Sequence, residues 1–227
     1  MSTLICFALR EEAAPFRKLA AGRADFSILI VGIGRQNAEK SVRDFLATQA
    51  PERVLTCGFA GGLNPDLKLG EVVFEMLPGS CRSDEAPTKT RNIFEPTHAG
   101  CYEQLIAAGA KPATFFCADR IATTVAEKKA LRVQTGADVV EMESAAIHAV
   151  CRERGLPCIT VRVISDMANE DLPLDFNALA KPDKSLDFGN LAWAIAKSPG
   201  KIPQLMALQK KTQFAAEQLA SVLEKII

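Results

Sequence analysis

Short apolar runs alternate with amphipathic segments along this 227-residue chain, and this alternation restricts the possible folds more than any other feature. The apolar runs predict strands, and the segments between them have the apolar spacing of helices. We expect strands over Leu4–Ala8, Ser27–Val31, Arg53–Cys57, Glu71–Phe74, Ala113–Cys117, Val139–Val140 and Cys158–Ile164, and helices over Glu11–Leu19, Asn37–Thr48, Tyr102–Ala108, Ala126–Gln134, Ser144–Arg154 and Gln204–Ile227. The pattern indicates an α/β protein with a mainly parallel sheet and helices on both faces.

Length and composition favour one soluble domain over residues 1–227. Lys+Arg and Asp+Glu each total 27, so no basic surface for nucleic acid is indicated. No run approaches the roughly 18 apolar residues of a membrane span, and Met1–Arg10 lacks the features of a signal peptide.

Seven cysteines without a CxxC pair are typical of a reduced, cytoplasmic protein. Two histidines exclude a zinc site with several His ligands. The long polar segment Pro78–Pro96 predicts a mobile lid or substrate loop.

Two glycine-rich segments follow predicted strands. Gly32 and Gly34 stand where a strand meets a helix, which allows a ligand to approach the backbone and the helix N-terminus. This segment lacks the third glycine and the later acidic residue of a dinucleotide fingerprint, so binding of NAD is disfavoured. Gly58, Gly61 and Gly62 predict a turn that a ligand or another part of the backbone approaches closely. A tight turn without a ligand is the alternative.

Three acidic residues are each associated with the end of a different predicted strand. Glu12 follows the first strand, Glu143 begins a helix after a short strand, and Asp166 follows Cys158–Ile164. In α/β sheets, ligands bind in the crevice beyond the carboxyl ends of the strands. Each residue also has a purely structural interpretation, since Glu12 and Asp166 could cap helices or turns and Glu143 could form an ion pair. Together they predict acid–base chemistry on a small molecule.

These motifs, in this order, resemble those of the purine nucleoside phosphorylase superfamily, and specifically its methylthioadenosine/adenosylhomocysteine nucleosidase branch. The matching segments are Ala8–Glu12, Gly32–Gly34, Gly58–Leu63, Lys68–Val73, Val140–Glu143 and Arg162–Ala168. The resemblance covers residues 4–176 and implies a three-layer α/β/α fold with a mixed central sheet that is partly barrel-like. It also implies a purine nucleoside as the small-molecule partner and a homodimer or higher homo-oligomer as the assembly.

The resemblance also implies a role for each site residue. Glu12 would activate the attacking water, Glu143 would bind the ribose hydroxyls, and Asp166 would give a proton to N7 of the leaving purine. The remaining substrate contacts implied by the resemblance are Met142 under the ribose, Ile33, Phe176 and Leu9 near the 5′ substituent, and Phe59, Gly61 and Ile121 elsewhere in the pocket, with Ile121 beside the base. The chemistry needs no metal or organic cofactor, because water and carboxylates suffice.

These roles agree with the requirements of N-glycosidic cleavage. The bond breaks through an oxocarbenium-like state, and a purine leaves poorly unless N7 is protonated. Negative charge and oriented hydroxyls stabilise the ribosyl cation. One carboxylate must remove a proton from water on the opposite face of the sugar. Three carboxylates therefore meet three separate needs.

Hydrolysis is favoured over phosphorolysis by two residues near the second glycine segment. Phosphorylases of the superfamily grip phosphate there with an Arg and a Ser or Thr, whereas this chain has Thr56 and Phe59. Phe59 cannot donate a hydrogen bond, and Thr56 cannot replace a guanidinium fork. Arg35 could meet an anion, but a solvated position on its helix is favoured. Phosphorolysis and a non-catalytic nucleoside-binding protein remain the alternatives.

The segment that should contact the base departs from the family pattern. Nucleosidases of the branch usually carry an aromatic residue where this chain has Cys117–Thr123, and Arg120 is unusual there. Asp119 could accept a hydrogen bond from the base or could support Asp166. A related branch acts on nucleosides with bulky 5′ groups, such as futalosine or adenosylhopane. The exact nucleoside therefore stays open at this point.

Overall fold

A computed structural model describes residues 2–75, 95–179 and 199–227 and has eight strands and six helices in those ranges. The strands are β1 (Thr3–Phe7), β2 (Phe26–Ile30), β3 (Arg53–Gly62), β4 (Val72–Glu75), β5 (Lys111–Ala113), β6 (Phe115–Cys117), β7 (Val139–Glu141) and β8 (Cys158–Asp166). The helices are α1 (Arg10–Leu19), α2 (Arg35–Leu46), α3 (Glu95–Ala107), α4 (Val125–Thr135), α5 (Ser144–Glu153) and α6 (Ile202–Ile226). The predicted loop Pro78–Pro96 lies outside the described residues, except for its last two residues, which begin α3.

The strands form one mixed sheet, as the resemblance implied. Its main path has the order β2–β1–β3–β8–β4–β5, and β7 pairs with both β3 and β6. The pairs β1–β2, β1–β3, β3–β8, β4–β5 and β6–β7 are parallel. The pairs β3–β7 and β4–β8 are antiparallel. Parallel pairing at the centre places the carboxyl ends of β1, β3 and β8 at the same edge of the sheet.

The three layers follow from strands that are buried on both faces. All five residues of β1 are buried. Ile5 and Phe7 belong to an apolar cluster with residues of α1, α3 and α6, whereas Leu4 and Cys6 pack with residues of α2 and α5. Since successive side chains of a strand point to opposite faces, one apolar run can cover both helical layers. The predicted α/β class with helices on both faces is confirmed.

Two predicted elements differ from the structure. The glycine segment after Cys57 is no turn, because β3 continues through it to Gly62 and pairs with β8 up to Asp166, with a shift of register between Ala60 and Gly61. Glycines permit this continuation, since they leave room for neighbouring side chains. The predicted strand Ala113–Cys117 is divided into β5, which pairs with β4, and β6, which pairs with β7.

Helix α6 confirms the predicted closing helix and its packing on the domain. The residues of its second half that are buried are Ala215, Ala216, Leu219, Ala220, Val222, Leu223 and Ile226. It packs mainly against α1 and also contacts β8. Within the described ranges, none of the helices combines the length and apolar character that crossing a membrane requires.

Candidate active site

A cavity of about 240 Å³ lies at the sheet edge where β1, β3, β7 and β8 end. Its lining includes all ten residues that the sequence predicted to form the site: Leu9, Glu12, Ile33, Phe59, Gly61, Ile121, Met142, Glu143, Asp166 and Phe176. The structure therefore brings together residues from widely separated parts of the chain. Their chemical roles remain predictions at this point.

Glu12 is held at the N-terminal end of α1 and is only 3% exposed. One carboxylate oxygen, Oε2, accepts a hydrogen bond from the backbone N–H of Leu9 at 2.9 Å, so the side chain caps its own helix. The other, Oε1, accepts from the backbone N–H of Phe59 at 2.9 Å. Glu12 is therefore a buried carboxylate fixed between two elements, in addition to being a helix cap.

The close approach of Glu12 to β3 requires a glycine at position 58. Gly58 has φ = +148°, and a Cβ added there would lie 2.8 Å from Oε1 of Glu12. A real Cβ does not tolerate that distance, so any larger residue would displace the carboxylate. The sequence predicted a close approach to this glycine segment. At Gly58 the group that approaches is the Glu12 carboxylate of the protein itself.

Glu143 and Glu141 form a buried carboxylate pair that shares one guanidinium group. Oε1 of Glu143 accepts from the backbone N–H of Gly34 at 2.8 Å. Glu141 accepts from Nη2 of Arg162 at 2.7 Å, from the backbone N–H of Ser144 at 2.8 Å and from its hydroxyl at 2.6 Å. Nη2 of Arg162 is 3.9 Å from Glu143, which is a weaker contact. The oxygens of Glu141 thus accept hydrogen bonds from within the protein. Glu143 can still accept hydrogen bonds from a ligand.

Burial and charge separate the pKa values of this pair. Burial and, to a smaller extent, the neighbouring Glu141 carboxylate together raise the pKa of Glu143 to about 7. Burial acts in the same direction on Glu141, but Arg162 and the hydrogen bonds from Ser144 outweigh it and hold the pKa of Glu141 below its ordinary value. Burial also raises the pKa of Glu12, against the opposing hydrogen bonds from Phe59 and Leu9.

Asp166 ends β8 and is 9% exposed. Its Oδ2 accepts from the hydroxyl of Ser165 at 2.9 Å. Its Oδ1 forms an ion pair with Nζ of Lys128, whose side chain is completely buried in α4. Asp166 therefore lines the cavity and is held by one hydrogen bond and one ion pair.

The wall of the cavity near Ile121 is fixed by hydrogen bonds to the segment that follows β8. The side-chain amide of Asn177 bonds both to the backbone N–H of Ile121 and to its carbonyl, each at 2.9 Å. The backbone N–H of Leu172 donates to the carbonyl of Thr123 at 2.8 Å. These bonds hold Phe176, the neighbour of Asn177, on the same side of the cavity as Ile121.

Two charged residues of uncertain role lie outside the cavity lining. Arg35 forms an ion pair with Asp119 at 3.2 Å, and the Asp119 side chain is 86% exposed. The favoured interpretation of Arg35 as a solvated helix residue is consistent with this contact. Asp119 does not line the cavity, and the two suggested roles of Asp119 stay predictions. Arg120 does line the cavity, and it also forms an ion pair with Glu127.

Sequence reasoning missed four contributors to the site. Lys128 lies in a helix whose charged residues look like a solvated face, so no local signal indicated its burial. Arg162 interrupts an apolar strand, and that interruption could have predicted a buried ion pair. Leu208 and Thr212 of α6 also line the cavity, far from every motif.

Within the described part of the chain, no cluster of three or more His, Cys, Asp or Glu side chains has an arrangement that could hold a metal ion. The cavity instead combines apolar side chains with carboxylates that are fixed by backbone N–H groups, Arg162 and Lys128. Such a site can orient a small polar molecule and exchange protons with it.

Comparison with known proteins agrees with this architecture. A sequence model described as Phosphorylase superfamily matches residues 97–195. The 5′-methylthioadenosine/S-adenosylhomocysteine nucleosidase of Marinomonas sp. (strain MWYL1) is 28% identical over 172 residues, which cover 69% of this chain and 74% of that protein. The nucleosidase of the same name from Anoxybacillus flavithermus is 26% identical over 212 residues, which cover 78% of this chain and 90% of that protein.

Solved structures show the same fold over the whole length. The Helicobacter pylori 5′-methylthioadenosine/S-adenosylhomocysteine nucleosidase with butyl-thio-DADMe-Immucillin-A has a TM-score of 0.68 at 18% identity, covering 100% of this chain and 97% of that one. The futalosine hydrolase of H. pylori strain 26695 has a TM-score of 0.67 at 19% identity, with the same coverage.

The fold of the chain is the one that these nucleosidase and futalosine hydrolase structures share. Residues 97–195 of the chain match the phosphorylase superfamily. Within it, the chain resembles the methylthioadenosine/adenosylhomocysteine nucleosidase branch, as the sequence motifs predicted.

Replacing Glu143 or Glu141 with Gln should change the free energy of unfolding in opposite directions. Because the pKa of Glu143 is raised to about 7, the folded state binds a proton more tightly than the unfolded chain, and stability falls as pH rises between about 4.5 and 7. We expect Glu143→Gln to increase the free energy of unfolding at pH 8 by roughly 1 to 3 kcal/mol, and to change it little at pH 4.5. Urea unfolding at the two pH values measures this difference.

Glu141→Gln is the contrasting variant. It removes the carboxylate that Arg162 binds and leaves a buried guanidinium group without its main partner. We expect it to lower the free energy of unfolding by roughly 3 to 5 kcal/mol. Equal losses for both variants at pH 8 would contradict the assignment of Glu143 as the uncompensated carboxylate.

Proposed function

We propose that this protein hydrolyses the N-glycosidic bond of a purine nucleoside. The observation that carries the proposal is that three buried carboxylates, Glu12, Glu143 and Asp166, surround one apolar cavity and are each held by different donors. The named activities of the relatives support the same reaction, since both are 5′-methylthioadenosine/S-adenosylhomocysteine nucleosidases.

In the proposed mechanism, Asp166 gives its proton to N7 of the purine while the bond from C1′ to N9 breaks. The bonding electrons go to the base, and the ribosyl group becomes an oxocarbenium-like cation. Glu143 accepts hydrogen bonds from ribose hydroxyls, and its negative charge stabilises the cation. Glu12 removes a proton from the water that attacks C1′. The products are the free purine and the ribose derivative.

The surroundings of Glu12 support water as the nucleophile. A carboxylate beside the attacked carbon repels phosphate and accepts a proton from water. Thr56 is buried and accepts a hydrogen bond from Arg162 at 3.1 Å, so its hydroxyl is engaged inside the protein. Phe59 presents an apolar side chain to the cavity and offers no donor for phosphate.

The apolar residues around the cavity support a nucleoside with an apolar 5′ substituent. Leu9, Ile33 and Phe176 are joined there by Leu208 from α6. A substrate of the methylthioadenosine or adenosylhomocysteine type fits this lining, and bulkier 5′ groups are a second possibility because a futalosine hydrolase shares the fold. Ile121 and Met142 would contact the base and the ribose.

The proposal is tested by incubating the protein with methylthioadenosine, adenosylhomocysteine, inosine and futalosine, with and without phosphate, and by measuring the free base by chromatography. We expect release of base from at least one nucleoside without phosphate. Strict dependence on phosphate would assign phosphorolysis instead. Binding of a nucleoside without release of base in either buffer would assign a non-catalytic binding protein.

A cytoplasmic location and assembly as a homodimer are further parts of this proposal. Both were implied by composition or by the resemblance to the family. Sedimentation of the purified protein at several concentrations would determine its mass, and a purely monomeric species would contradict the homodimer. Fractionation of cells that produce the protein would test the location.

A further inference from the structure

Lys128 forms an ion pair with Asp166, but the proposed mechanism gives Lys128 no role. It lies in the first turns of α4 and its side chain is 0% exposed. Its ammonium group donates to the carbonyl oxygens of Met167 at 2.8 Å and Glu170 at 2.9 Å, and it forms an ion pair with Oδ1 of Asp166. Two of its three N–H donors are thus bound to backbone carbonyls, and the contact with Asp166 is an ion pair.

Burying a positive charge at this position is costly unless the charge is paired. The desolvation of an ammonium group costs several kcal/mol in a protein interior. In its ionised form Asp166 supplies the compensating negative charge, and two carbonyl groups accept hydrogen bonds from the ammonium group. A lysine that served only to close the helix against the loop could be replaced by an apolar side chain at lower cost. The pairing with a carboxylate of the cavity therefore points to a role in the chemistry.

The contacts of Lys128 also restrict the orientation of the Asp166 carboxyl group. Lys128 holds Oδ1, and the hydroxyl of Ser165 donates to Oδ2 at 2.9 Å. Rotation of the carboxyl group about the Cβ–Cγ bond of Asp166 would break both contacts. The same ammonium group binds the carbonyl of Met167, the next residue, so the backbone that carries Asp166 is fixed as well.

We propose that Lys128 is a positioning residue for Asp166. It holds the carboxyl group in the orientation from which the proton passes to N7, and it stabilises the carboxylate that remains after this transfer. Lys128 keeps its own protons throughout. Asp166 takes up a proton from solvent before each transfer to N7, and after the transfer it returns to the ionised form that pairs with Lys128. This inference rests on the proposed function, because it assigns to Lys128 a part of that reaction.

A double-mutant cycle separates this role from a merely structural one. The variants are Lys128→Met, Asp166→Asn and the double variant, and Lys129→Met is the control, since Lys129 is the exposed neighbour on the same helix. The assay measures kcat and KM for the nucleoside that the wild type hydrolyses fastest. We expect Lys128→Met to lower kcat roughly 10- to 100-fold, the size of effect that misplacement of a catalytic group produces. KM should change less than about threefold, and Lys129→Met should behave as the wild type.

The double variant gives the decisive comparison. If Lys128 acts through Asp166, adding Lys128→Met to Asp166→Asn lowers kcat by less than about threefold. Losses that multiply in the double variant would overturn the proposal, as would a Lys128→Met variant with the kcat of Lys129→Met. If Lys128→Met does not fold, Lys128→Gln replaces it in the same cycle, because the amide keeps N–H donors for the backbone carbonyls without the charge.

Failure of the proposed function gives a different result. A wild-type protein that releases no base from any nucleoside refutes the hydrolysis, and the role of Lys128 is then refuted with it. An active wild type with an equally active Lys128→Met variant refutes only the positioning role.

Discussion

Replacing Asp166 with Asn should lower kcat for release of the purine by roughly 100- to 10,000-fold, the usual contribution of a general acid. Asn has nearly the same shape and still accepts a hydrogen bond, but it has no acidic proton to give to N7. Binding of the nucleoside should largely persist, because the apolar lining and Glu143 are unchanged. Steady-state release of base and calorimetric titration with the nucleoside measure the two effects separately.

The control for this variant is Asp119→Asn. Asp119 is also an aspartate close to the end of a strand, but its side chain is 86% exposed and pairs with Arg35. We expect Asp119→Asn to keep wild-type kcat. Thermal unfolding of Asp166→Asn must be measured as well, since Lys128 loses its charged partner in that variant. Unchanged turnover in a folded Asp166→Asn variant would remove Asp166 from the role of acid.

Replacing Glu12 with Gln should also lower kcat roughly 100- to 10,000-fold, because a general base is lost. An amide cannot take a proton from water, and its NH₂ group would face one of the two backbone N–H groups that now donate to Glu12. The wild type should lose activity as pH falls, since Glu12 acts only when ionised and burial raises its pKa. The pH profile of kcat/KM on the acidic limb measures this titration.

Glu11→Gln provides the matched control for Glu12. Glu11 precedes it in the first turn of α1 and is exposed, so the same substitution removes one helix charge without touching the cavity. We expect Glu11→Gln to keep the wild-type kcat and the same acidic limb. If both variants hydrolyse the nucleoside at the wild-type rate, a residue other than Glu12 must activate the water. Since burial raises the pKa of Glu143 to about 7 in the same cavity, the pKa values read from the pH profile will belong to the group of carboxylates together.

The residues of the cavity could be selected from sequence because they belong to short local motifs. Glu143 follows Met142 in a segment that resembles one family, and Asp166 ends a strand with strong β-branched character. Each motif was weak alone, and their order made the resemblance specific. The structure places all ten selected residues around one cavity, whereas their roles await the experiments above.

The glycine segment shows where local reasoning was wrong. Three glycines in five residues indicated a turn, but β3 passes through them and continues pairing with β8. Turn propensity is a local preference, and pairing with a neighbouring strand outweighs it in the folded protein. The glycines serve instead to admit Glu12 beside Gly58 and Asp166 beside Gly61.

The sequence by itself determined the α/β class, the closing helix and the set of carboxylates at strand ends, because periodicity and short motifs are properties of neighbouring residues. Only the tertiary structure decided which charges meet. Arg162 pairs with Glu141, burial raises the pKa of Glu143 to about 7, and Lys128 is buried against Asp166. These contacts join residues that are far apart in the chain, and their effect depends on the exclusion of water, which no local pattern records.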